Sequence, residues 1–145
     1  MPPDSNEALV RRLYDAVWSS DDFDVADTLI AGNETHHSHG ETVTGGPEAQ
    51  KQAARAFRAA FPNANFALEV VVSAADLVAV RWRCTATHAA TGTAITDHVG
   101  VNVFRISDGR IVEIWDTRDD LGLFAQLGLA PASLMSQVYG PLPQG

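Results

Sequence analysis

Asp116 is the side chain best placed for chemistry, because it interrupts an otherwise apolar strand. The runs VNVFRI and RIVEIWD flank Ser107-Asp108-Gly109, and an Asp-Gly pair between β-rich runs signals a tight hairpin. By the two-residue period of a strand, Val112, Ile114 and Asp116 share one face, with Ile111, Glu113, Trp115 and Thr117 on the other. A carboxylate that continues an apolar face is costly to ionise unless it is paired or solvated. Its pKa is therefore expected to rise, which suits proton exchange near neutral pH. The competing reading is a strand-end carboxylate paired with Arg110 or Arg118. Phe104 and Ile114 are expected to supply apolar ligand contacts beside it.

Histidines supply the other candidate groups. His98 and Asn102 are four apart on a strand, hence on one face, with Gly100 between them leaving room above the backbone. His98 could orient a carbonyl or hold Asp116 ionised, and it is taken with Asp116 as catalytic; the alternative is a solvated strand start. His88 falls at the end of the preceding strand and is taken as a ligand contact facing His98 across the ladder, the alternative being an exposed hairpin end. The cluster His36, His37, His39 invites a metal, since imidazoles are common ligands, but no partner elsewhere has a recognised metal spacing. The reading preferred here is a polar glycine-rich loop at a pocket mouth, with His36 or His37 touching ligand and no metal. Trp82 alternates with Arg81 and Arg83, so it lines core or pocket while the arginines point away. Cys84 reads as a buried structural thiol. Asp119 and Asp120 are assigned to the start of a helix, where carboxylates accept free backbone N–H groups.

These residues need elements to hold them. Leu9, Val10, Leu13, Tyr14, Val17 and Trp18 line one face of a helix over 6–19, with Asp4 and Glu7 spaced as a capping box. A shorter helix follows Asp21 or Asp22 through Ile30. After the polar loop GNETHHSHGETVTGG, Pro47 opens a third helix that Pro62 stops. From Asn65 the period changes to strands, with turns at Ala74-Ala75-Asp76 and Asp108-Gly109. A short helix over Asp119–Leu129 and a tail through PLPQG complete the chain. Helices first and an antiparallel meander afterwards predict an α+β domain over 1–145, ordered over about 5–130, with three helices on a curved sheet. Trp115, Ile111, Val101 and Val103 leave the second sheet face apolar, so a homodimer at least is expected, or a sheet curled to bury both faces.

Composition narrows the partners. The chain has 145 residues, 46% of them hydrophobic, and a net charge of −8. An acidic surface without a basic stripe disfavours nucleic acid and anionic membranes. No stretch approaches the roughly 20 apolar residues that span a bilayer, and no charged start precedes an apolar run, so a cytoplasmic protein with a small, largely apolar ligand is expected.

Taken in order, LVRRLYDAVW, the Gly45-Gly46-Pro47-Glu48 helix start, the Phe61-Pro62 stop, Thr87-His88 and VFRISDGRIVEIWDTRDDLGLFAQLG resemble the SnoaL-like polyketide cyclases, within the nuclear transport factor 2-like superfamily. Nearly the whole chain takes part. The resemblance implies a cone-shaped fold and a cofactor-independent enzyme of secondary metabolism. In that family an aspartate matching Asp116 acts as general acid and base in an intramolecular aldol ring closure of a polyketide ester. The family's pocket histidine is replaced here by Asn102, which can hydrogen-bond but cannot titrate. The loop ATHAATGTAITDH is also shorter than in the family. The resulting expectation is a cyclase or isomerase acting on a hydrophobic polycarbonyl compound. The rivals are epoxide opening, which needs a second aspartate such as Asp97, an auxiliary role in hydroxylation, and a non-catalytic binding or dimerising module.

Overall fold

A computed structural model describes residues 3–131 and 133–141, with side chains from Ser5 onward. Helix α1 (Pro3–Arg12) runs into a π-helical turn over Leu13–Trp18; a 3₁₀ turn (Phe23–Val25) leads to α2 (Ala26–Leu29). Then come β1 (Ile30–Ser38), β2 (Glu41–Thr44), α3 (Gly46–Ala60), β3 (Asn65–Ala74), β4 (Leu77–Thr87), β5 (Ala94–Ser107) and β6 (Arg110–Arg118). Helices α4 (Asp120–Gln126) and α5 (Leu134–Tyr139) follow. The mixed α+β architecture with helices against a curved sheet is the one the sequence predicts. The Asp4 side chain, expected to cap α1, and residues 142–145 of the expected tail lie outside the described residues.

The amphipathic reading of the first helix holds: Val10, Leu13, Tyr14 and Val17 are buried, and Leu9 and Trp18 pack against the core. Strands β3 to β6 form the expected meander. Both central residues of the β5–β6 turn, Asp108 and Gly109, have positive φ, as the tight hairpin turn requires. From β4, Val78, Val80, Trp82 and Cys84 point inward by the two-residue period and meet Phe104, Ile106, Ile111 and Ile114. Burial pushes the Cys84 thiol up to about 12, so it remains an inert thiol within the core.

Two expectations are corrected at the other end of the sheet. The predicted loop over 32–46 is largely a hairpin: β1 pairs with β2 from Thr35↔Thr44 to Ser38↔Glu41, around His39 and Gly40, both at positive φ. Strand β1 also runs parallel to β6, so the sheet order is β2-β1-β6-β5-β4-β3 and the sheet is not wholly antiparallel. With a neighbour on each side, the β1 backbone is satisfied without the apolar alternation that betrays a strand in sequence. The second helix is correspondingly shorter than predicted, because Ile30 already belongs to β1.

A bulge corrects the face assignment on β6. Arg105 pairs with Glu113 while the next residue, Ile106, pairs with Ile111, which leaves one extra residue in β6. Ile111 is thereby turned into the core with Ile114 rather than onto the outer face. That face keeps Val70, Val72 and Val101 exposed, while Trp115 is partly covered by the stacked His37 ring and by Arg105. Helix α3 is pinned against β1 at its start. Gly46 has φ +59°, and a Cβ there would stand 2.7 Å from the Gly32 carbonyl oxygen, so only glycine fits.

Candidate functional site

Between the helices and the sheet lies a cavity of about 330 Å³. This is within the roughly 300–1,000 Å³ span of small-molecule sites. Leu13, Tyr14 and Trp18 reach it from the π-helical turn, Phe57 from α3, Phe66 from β3 and Phe104 from β5. Such π turns are rare and recur at functional sites. Into this apolar chamber project His36, Gln50, Asn102, Asp116, Arg118 and Asp120.

Asp116 lies on the cavity wall with its side chain 8% exposed. Its Oδ2 accepts from Arg118 Nη1 at 2.6 Å and from Ser38 Oγ at 3.3 Å. The Nε2 of His36 is 3.8 Å from the same oxygen, an ion-pair contact rather than a hydrogen bond. Burial is the largest single influence on this carboxyl and acts upward. The His36 contact, the Arg118 charge and the Ser38 hydroxyl together outweigh it and hold the pKa below the ordinary carboxylate value. The expected upward shift is therefore corrected: the strand face is apolar, but β1 and the strand end bring cations to it.

His36 behaves oppositely. Asp116 first, then Glu34, raise its pKa to about 9 against the opposing effect of burial, so the imidazolium predominates at neutral pH. Its Nδ1 is 3.7 Å from Glu34 Oε1 and 3.1 Å from the amide nitrogen Nε2 of Gln50. The amide nitrogen can only donate, so a ring protonated at Nδ1 requires the Gln50 amide turned over to present its oxygen as acceptor. Ionised Asp116 and protonated His36 thus stand side by side at the cavity.

Trp82, His98, Asn102, Phe104 and Ile114 all line the cavity, as their sequence positions suggest. The room above Gly100 is filled by the Trp82 indole, which a Cβ on Gly100 would overlap. Trp82 Nε1 donates to Asn102 Oδ1 at 2.9 Å. An indole N–H can only donate, so this bond fixes the amide orientation and turns the Asn102 NH₂ away from the indole. His98 is buried against Trp82 and Phe57, and burial lowers its pKa despite Asp120 nearby, so it is neutral. It is no solvated strand start. Nor does a hydrogen bond or ion pair join it to Asp116 among the described residues, so holding Asp116 ionised falls to His36, Arg118 and Ser38.

Two expected ligand contacts lie elsewhere. His37 points to the opposite sheet face, where Nε2 meets Glu113 at 2.7 Å, Nδ1 meets Thr42 and the ring stacks on Trp115. This follows from strand alternation once β1 is recognised as a strand. His88 meets Thr91 at 2.9 Å and packs on Phe61, holding the β4–β5 turn outside the cavity. Cys84, not His88, is the residue opposite His98. The three histidines of 36–39 diverge, and no group of three potential ligands close enough to hold a metal occurs among the described residues. Asp97 pairs with Arg83 on the surface, away from the cavity.

Asp119 is the helix cap predicted for it, accepting from Gly122 N at 2.8 Å. Asp120 is more than a structural residue. It lines the cavity, receives Arg118 Nε at 3.0 Å and meets His39 at 2.7 Å, so Arg118 bridges Asp116 and Asp120. Glu34, Ser38 and Gln50 were missed in sequence. Only their alternation with His36 on β1, or their place on the inner face of α3, would have marked them.

The SnoaL-like polyketide cyclase pattern matches residues 8–127. Among solved structures, a candidate polyketide cyclase from Bacillus cereus is 28% identical at a TM-score of 0.77, covering 87% of this chain and 82% of that one. IdmH, a candidate polyketide cyclase from Streptomyces antibioticus, is 27% identical at a TM-score of 0.73, covering 85% and 98%. AclR, a candidate hydroxylase from Streptomyces galilaeus, is 25% identical at a TM-score of 0.74, covering 89% and 99%. No protein of curated function matches the sequence. With its cone-type fold and this match over most of its length, the chain belongs to the SnoaL-like polyketide cyclase family.

Proposed function

We propose that this protein closes a ring in a hydrophobic polycarbonyl substrate by proton transfer between Asp116 and His36, without a cofactor. Family membership supports a cyclase-type role. The observation that carries the finer reading is the pairing of an ionised carboxylate with an imidazolium at one wall of an aromatic-lined cavity. Asp116 takes the proton from a carbon flanked by two carbonyls, and the enolate so formed is delocalised within the substrate. That carbon bonds to a second carbonyl carbon, whose π pair moves to its oxygen. His36 Nε2–H protonates the oxygen, and return of the proton from Asp116 to His36 restores both groups. The cavity supplies the folded geometry, and Asn102 a hydrogen bond to a carbonyl.

The test is ring closure of an aromatic poly-β-keto ester, followed by chromatography and mass spectrometry. Asp116→Asn should lower turnover by about 10²–10⁴-fold with probe binding retained, the usual weight of a general base. Full turnover in that variant would overturn the reading, and binding without conversion by the wild type would favour a carrier.

A second reading, water addition to an epoxide, is favoured by one observation, the Arg118 bridge between Asp116 and Asp120. Asp120, not Asp97, would be the second aspartate. Formation of a diol from an apolar epoxide, with ¹⁸O taken from labelled water, would support it over ring closure.

A further inference from the structure

Glu34 is a buried acid that the proposed reaction does not use. Its side chain is wholly inaccessible, and neither carboxylate oxygen has a hydrogen-bond partner among the described groups. The backbone around it is fixed, since Gly45 N donates to the Glu34 carbonyl at 3.1 Å where the β1–β2 hairpin meets α3. Along β1, Glu34, His36 and Ser38 fall on one face by the two-residue period, and His36 and Ser38 both reach Asp116. A lone buried carboxylate is strongly disfavoured unless a cation compensates it. The cation in contact is the His36 ring, whose Nδ1 stands 3.7 Å away.

We propose that Glu34 is a positioning residue that acts through His36, holding the imidazole protonated with Nε2 turned toward Asp116, so that the site keeps an acid beside its base across neutral pH. The proposal deepens the cyclase reading and rests on it for the use made of the proton. The groups facing His36 are consistent with this division. Asp116 approaches from β6 with Arg118 behind it, and Gln50 approaches from α3 without charge. Tyr14, from the π turn, is held neutral by burial, and Asp120 is engaged by Arg118 and His39. Asp116 is shared between His36 and Arg118, whereas among the described residues His36 is the one cation that meets Glu34.

The test reads His36 directly and needs no substrate. In ligand-free protein labelled with ¹⁵N and ¹³C in histidine, the His36 ring should titrate near pH 9. In Glu34→Gln, isosteric but uncharged, the midpoint should fall by about one unit or more, a tenfold change in ionisation constant. Glu34→Asp, which restores the charge one methylene further away, should recover part of the shift, whereas a purely packing role would make the shortened aspartate no better than glutamine. An unchanged midpoint in Glu34→Gln, or a wild-type His36 that titrates in the ordinary range near 6.5, overturns the proposal even if a variant fails to fold. Failure of the cyclase reading appears separately, as absent turnover in a protein whose His36 titration is as described. Where turnover is present, the alkaline limb of its pH profile should move down with the midpoint in Glu34→Gln.

Discussion

His36 makes the folded protein sensitive to alkaline pH. Its folded pKa, about 9, lies above the ordinary value of 6.5 expected in the unfolded chain. The stability it contributes is therefore fully present below about pH 6.5 and is lost as pH rises through about 9. Urea titrations should show the wild type weakening over that window, and His36→Gln should show a flatter dependence there. Asp116 contributes in the opposite sense: its lowered pKa gives stability that is present above about 3.8 and lost as pH falls through the lower folded value. At this scale the sequence was informative about Asp116 as a position and misleading about its ionisation. Strand alternation identified a carboxylate on an apolar face, but its pKa depends on His36, which is 80 residues away in the chain and on a neighbouring strand. Asp120 was read as a cap because a carboxylate in a first helical turn ordinarily is one, and nothing local shows that Arg118 folds back between it and Asp116.

At the scale of elements, the cavity depends on strands approaching closely at Gly100. The Trp82 indole lies over this glycine and donates to Asn102, so a methyl group there would push the indole off and break that bond. Gly100→Ala should destabilise the fold by about 1–3 kcal/mol, the usual cost of overpacking. Thermal unfolding would measure the loss, and a change in Trp82 fluorescence would report the displaced ring. A stable variant with unaltered fluorescence would remove this role. The meander from β3 to β6 was legible because its strands alternate and the Asp108-Gly109 turn carries residues that accept positive φ, whereas the β3–β4 turn places Ala75 there. Strand β1 was not, because the face that would have shown apolar alternation carries Glu34, His36 and Ser38, the polar wall of the site. The residues that made the segment look like a loop are those that line or support the chemistry, and local pattern fails where function has replaced core side chains. The β6 bulge was hidden for a different reason, since a one-residue slip leaves no mark in composition.

On the scale of the whole molecule, the architecture is a chamber with one chemically equipped wall. Aromatic side chains from both helices and sheet supply its apolar surface, and a planar carbonyl compound that fills it should stabilise the native state. At about 100 times its dissociation constant such a ligand adds about 2.7 kcal/mol, readable as a rise in melting temperature. Phe57→Ala, which strips part of that lining, should weaken the shift. The homodimer or tetramer expected from the apolar outer face is a matter for sedimentation, where a monomer at all concentrations would remove it. The central claim is that Asp116 removes a proton from a carbon held in this chamber. It is tested most directly by transferring a β-keto ester probe into deuterated solvent and following the loss of its acidic C–H signal by NMR, with wild type and Asp116→Asn at saturating probe. Accelerated exchange by the wild type, reduced by about 10²–10⁴-fold in the variant, is the predicted result. Equal exchange rates in the two proteins would contradict it.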